Sequence, residues 1–142
     1  MALVKVSEID LDFPVVGFCR EAGVLWFGDI SLLTRCSIAD VKAQTLIGME
    51  MFDNRMRSWI VRSLDLNEPL PPRRWWQISP DRAHVDFELN LEQRPPIDFD
   101  KLKRRLLPEM GIEDPDDEKA ARKAPDLAAL CEVTYMQVTG LL

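Results

Sequence analysis

Residues 84–92 read His84-Val85-Asp86-Phe87-Glu88-Leu89-Asn90-Leu91-Glu92. Val85, Phe87, Leu89 and Leu91 fall on one face, and His84, Asp86, Glu88, Asn90 and Glu92 on the other. Period-two alternation of this kind marks a β-strand with one side on a core and one in water. A half-solvated strand belongs to an antiparallel sheet, because parallel strands are buried on both sides. The fold class that follows is α+β, with helices laid on one face of an antiparallel sheet.

Upstream, residues 14–19 (Pro-Val-Val-Gly-Phe-Cys) and 24–28 (Val-Leu-Trp-Phe-Gly) are β-branched and aromatic, with Gly23 between them. They predict a hairpin over about 14–28, and the lack of alternation predicts strands buried on both faces. Ser37 with Asp40 three residues on is an N-cap pattern. Ile38, Val41, Leu46 and Ile47 at helical spacing and Gly48 as a stop predict a helix over about 38–47. Asp53-Asn54 is turn chemistry, and Trp59-Ile60-Val61 is a strand nucleus. A second hairpin over about 50–66 is the preferred reading, with a single helix over 41–64 as its rival.

Residues 69–74 (Pro-Leu-Pro-Pro-Arg-Arg) predict an extended polyproline connection leading to Trp75-Trp76. Past the strand, Asp98 caps a predicted helix over about 98–107, which Pro108 ends or kinks. Glu113 to Glu118 read as an acidic loop. The remainder, about 117–142, reads as one or two helices, with Pro125 placed for a helix start.

The chain has 142 residues, 46% of them hydrophobic and 30% charged, which fits a single domain over 1–142 able to bury its own core. The start lacks a signal-peptide pattern, and no window has the run of about 20 apolar residues that a membrane helix needs. Cys19, Cys36 and Cys131 are odd in number and widely spaced, which points to free thiols and a cytoplasmic location. Net charge is −6 with a pI near 4.8, which disfavours nucleic acid and anionic membranes and favours basic protein partners.

Chemistry-bearing motifs are sparse. His84 is the single histidine, so a Cys–His dyad would need Cys19, Cys36 or Cys131 brought to it in space. No zinc set, GxSxG elbow, Walker loop or GxGxxG pattern occurs, and the acidic run 113–118 lacks EF-hand spacing. No cofactor and no metal is expected. Two surfaces remain. One is the acidic strand face of Asp86, Glu88 and Glu92, which is either a steering surface for a basic partner or a solvated face. The other is Arg73, Arg74, Trp75 and Trp76, which is either a core anchor or an interface with protein or nucleic acid.

Small size, acidity, cytosolic character and the lack of active-site motifs resemble those of bacterial immunity proteins, which block a toxin by binding it. The resemblance is of class and covers no stretch of sequence. It implies a non-catalytic protein-binding module acting by stoichiometric occlusion. Two other readings stand beside it: a small hydrolase or transferase using His84 with a carboxylate or cysteine, and a homo-oligomeric structural subunit joined through a strand edge.

Overall fold

The structure is a computed structural model that describes residues 3–20, 23–37, 40–41, 44–67 and 84–138, with side chains to residue 133. Among the described residues seven strands form one antiparallel sheet: β1 (Leu3–Lys5), β2 (Val15–Cys19), β3 (Gly23–Phe27), β4 (Arg35–Ser37), β5 (Glu50–Phe52), β6 (Ser58–Leu66) and β7 (His84–Arg94). Their order is β1-β7-β6-β5-β2-β3, and β4 continues the β1 side of the sheet by pairing with the start of β7. Among the described residues the helices with both ends placed are α1 (Ile30–Leu33), α2 (Phe99–Met110), α3 (Pro115–Lys123) and α4 (Leu127–Val138). The α+β class and both hairpins are as expected, and the hairpin reading of 50–66 prevails over the helix.

The long central strand runs two residues beyond the alternating stretch, to Arg94. Phe87, Leu89 and Leu91 are buried together with Trp59 and Val61 of β6. A β-bulge falls between Val61 and Ser63. Before it, odd-numbered residues of β6 face the core; after it, Leu64 and Leu66 do, opposite Leu89 and Phe87. One extra residue thus keeps the apolar side inward along the whole strand. This explains why the sequence of β6 does not alternate cleanly.

The sheet carries a core on each side. One gathers Val15, Cys19, Met51, Trp59, Val61 and the β7 trio beneath Val6, Leu11, Leu33, Leu46 and Met49. The other gathers Val16 and Phe52 beneath Leu102, Leu106, Ala121, Ala124, Leu127 and Leu130. The expected helical layer is therefore α2 to α4, while α1, a 3₁₀ turn at Val6–Glu8 and the segment before β5 close the opposite face. Val15, Val16 and Gly17 are all buried, as a strand between two cores requires.

Several local expectations shift. Of the helix expected over 38–47, Asp40 and Val41 are helical, residues 44–48 form turns with Gly48 at φ 85°, and residues 38, 39, 42 and 43 lie outside the described residues. The Ser37 cap is made: its Oγ accepts from the Asp40 N–H at 3.2 Å. Pro108 neither ends nor shortens α2, which runs on to Met110. The acidic run is not a loop: Asp114 caps α3 with Pro115 in its first turn, and Asp116, Asp117 and Glu118 lie in that turn, where a helix favours negative charge. Lys103 of α2 donates to the carbonyls of Arg122 at 2.8 Å and Ala124 at 2.7 Å, filling the unsatisfied end of α3. The polyproline connection 69–74 and Trp75-Trp76 lie outside the described residues. No described helix is long and apolar enough to cross a membrane.

Candidate functional site: the polar face of β6 and β7

The side of β7 away from the β6–β7 core presents His84, Asp86, Glu88, Asn90 and Glu92 in a row, and the register fixes their neighbours. Glu92 stands between Leu3 of β1 and Ile60 of β6; Asn90 stands between Lys5 and Ser63. Glu88 is directly opposite Asp65. Asp86 is opposite Arg35, and His84 opposite Ser37, both of β4.

The expectation of an open acidic stripe holds at one end only. Glu92 is 6% exposed, and the Arg62 guanidinium closes over it, with Nε 2.7 Å from Oε2. Arg62 sits at the bulge, which lets it turn toward this carboxylate. Glu92 is thus a buried, paired anion that a partner cannot reach directly. Asp86 forms an exposed ion pair with Arg35 at 3.3 Å. Such a pair is worth little and opens easily.

Asp65 and Glu88 differ from both. Glu88 Oε1 accepts from the Ser7 N–H at 2.9 Å, and Asp65 Oδ2 accepts from Asn90 Nδ2 at 2.9 Å. Both donors are neutral, and among the described residues neither carboxylate has a cationic partner. Like charges directly opposite on adjacent strands cost stability. Asp65 escapes a reading of the sequence because only the pairing of β6 with β7, offset by the bulge, sets it against Glu88.

Of the other residues singled out, Arg73, Arg74, Trp75 and Trp76 lie outside the described residues. Arg57 is committed to Asp53 at 2.7 Å, and Arg55 lies 3.6 Å from Asp12. Cys36 pairs in register with Val85 and so lies on the core side, while Ser37 and His84 share the polar side. A Cys36–His84 dyad is therefore not formed. Among the described residues no cluster of three or more His, Cys, Asp or Glu is placed to hold a metal.

The thiols are held in their neutral form. Burial, then the nearby Asp40 charge, pushes Cys19 up to about 11 and Cys36 up to about 12. Burial, then Glu132, raises Cys131. A thiol kept protonated is a poor nucleophile. Native protein at pH 8 is expected to react slowly with a thiol reagent and fully only once unfolded; fast stoichiometric labelling of Cys19 or Cys36 would contradict this. Because the folded values lie above the ordinary 9.0, this contribution to stability is intact below that pH. It is lost as pH rises through about 11 and 12. Denaturant midpoints should therefore fall on the alkaline side, and less steeply in Cys36→Ala.

Two crevices lined by described residues lie elsewhere. The larger, about 640 Å³, is lined by residues that include Phe18, Arg20, Gly23, Glu50, Arg105 and Glu109. Part of its lining is held together: Arg105 grips Glu50 with two bonds of 2.9 and 3.1 Å and lies 4.1 Å over the Phe18 ring. The Arg105 guanidinium holds the Glu50 carboxyl below the usual carboxylate range. The smaller, about 320 Å³, is lined by Cys36, Val41, Leu46, Leu64 and neighbours. Neither is lined by His84. No protein-family model matches the chain, and no curated protein or solved structure is significantly similar to it.

Proposed function

We propose that the chain is a non-catalytic protein-binding module, an immunity-type inhibitor that neutralises a basic toxin or effector by stoichiometric occlusion. The observation that carries this reading is the directly opposed pair Asp65 and Glu88, with no cation between them among the described residues. A lysine or arginine brought in by a partner would relieve the repulsion and gain charge-assisted hydrogen bonds from both carboxylates. Asp86, next along β7 on the same face, extends the negative surface, and its exposed pair with Arg35 can exchange for a partner cation. The net charge of −6 draws a basic protein in from solution. The Glu92–Arg62 pair pins the far end of the face, so the acceptors are held in place before the partner arrives.

The test is affinity capture from lysate of the source cells, comparing the native chain with Asp65→Lys/Glu88→Lys. A basic protein recovered near one-to-one by the native chain, and lost with the charge-reversed one, is the expected result. With the purified pair, charge reversal should slow association about tenfold or more at low salt and flatten its salt dependence. Asp65→Asn alone should weaken capture while holding or raising the melting temperature, because it removes a repulsion from the free protein. A partner whose on-rate ignores both changes would refute the acidic face.

A further inference from the structure

β3 is the last strand of the sheet, five residues long, and Gly23-Val24-Leu25-Trp26-Phe27 contains neither charge nor proline. On one side it pairs with β2 along its whole length. Its outward backbone groups find no partner among the described residues. The other side of the sheet is guarded differently. β1 and β4 are three residues each and carry Lys5 and Arg35, the short charged strands that discourage further pairing. An uncharged apolar edge is a template for another strand.

The ends of β3 bear opposite charges. Arg20, exposed just before it, makes no ion pair with any described residue. Asp29, exposed just after it, caps α1: its Oδ1 accepts from Ser31 Oγ at 2.6 Å and from the Leu32 N–H at 3.1 Å. Asp29 makes no ion pair with any described residue. Ile30 and Leu32, in the four-residue α1 that follows, are 45% and 47% exposed.

We propose that two copies of the chain pair through β3, antiparallel about a twofold axis, into one continuous sheet. Antiparallel pairing lays the Arg20 end of one strand beside the Asp29 end of the other, and symmetry makes this happen twice. It satisfies the unpaired edge in both copies at once. It also gives Ile30 and Leu32 apolar surface to meet. A five-residue ladder is small against the roughly 800 Å² per partner of a standard interface, so the pair is weak and concentration-dependent. The acidic face belongs to β6 and β7, away from this edge, so the dimer and the proposed inhibitor role stand or fall separately.

The experiment is sedimentation velocity with light scattering from about 1 µM to about 1 mM, beside hydrogen exchange over the same range. The expected result is a rise from monomer to dimer mass, with β3 amides gaining protection as concentration increases. Arg20→Glu should weaken the dimer about five- to tenfold with no change in melting temperature. Arg20→Glu/Asp29→Asn should recover part of that loss, since asparagine keeps the helix cap but removes the repulsion. A monomer at every concentration would overturn the proposal. So would a dimer indifferent to Arg20→Glu whose β3 amides exchange at one rate throughout. A monomer whose β3 amides are protected only in cell lysate would also overturn it, and would assign the edge to a different protein.

Discussion

Asp53→Ala is expected to lower the unfolding free energy by about 3–5 kcal/mol, a large part of the roughly 5–15 kcal/mol that holds a domain folded. Asp53 is 0% exposed. Its Oδ1 accepts from the backbone N–H of Arg55 at 3.1 Å and of Arg57 at 3.0 Å. Its Oδ2 takes Arg57 Nε at 2.9 Å and, at a longer 3.4 Å, the Asp12 N–H. One carboxylate thus holds the loop joining β5 to β6, in which Met56 adopts a left-handed φ of 65°. The same loop ties distant parts of the chain together. Arg57 reaches the Asp10 carbonyl at 2.6 Å, and Asn54 Oδ1 accepts from the Ala128 N–H in the first turn of α4 at 3.1 Å. Alanine would leave several part-buried donors without acceptors and Arg57 without its anion. Asp53→Asn keeps an acceptor oxygen but loses the charge, and should cost an intermediate amount. The check is denaturant unfolding with an unchanged slope. A cost below about 1 kcal/mol would mean that the loop is held by its other ties.

Gly17→Ala is the second large effect, about 1–3 kcal/mol of destabilisation from one added methyl group. Gly17 is buried in β2, between Leu25 of β3 and Met51 of β5. A Cβ there would lie 2.4 Å from Met49 Sδ and 3.0 Å from its Cγ, both inside contact distance. Met49 is itself 0% exposed, so its side chain has little room to yield. Met49→Ala alone should cost about 2–5 kcal/mol through the cavity it opens. In the double variant the new methyl partly fills that cavity, so the combined cost should fall short of the sum by about 1 kcal/mol or more. Strict additivity in thermal or denaturant unfolding would show that the two residues do not compete for this space.

Elements whose signal is local are legible in the chain. The alternation at residues 84–92, the Asp53-Asn54 turn, the Ser37 cap and the Asp98 cap each rest on side chains within a few residues of the backbone they organise. The short strands β1 and β4 carry no such signal, because three residues are too few to show a period. They are strands because β7 offers them an edge. The acidic run misleads for a related reason. Clustered carboxylates read as solvated loop, yet the first turn of a helix welcomes them equally, and Asp114-Pro115 is a helix start.

The candidate site divides along the same line. Residue type and alternation place Asp86, Glu88 and Glu92 on one side of one strand, and this much needs nothing beyond the sequence. Which of them is buried, which is paired and which is left facing another carboxylate is a matter of register between β6 and β7. Side chains change face at every residue, so a single inserted position decides whether Asp65 meets Glu88 or points into the core. That position is the bulge between Val61 and Ser63, where Arg62 turns toward Glu92. Local backbone preference governs the elements because it acts over a few bonds. The pairing that assembles the acidic face comes from packing long strands against a common core, and only the tertiary structure holds it.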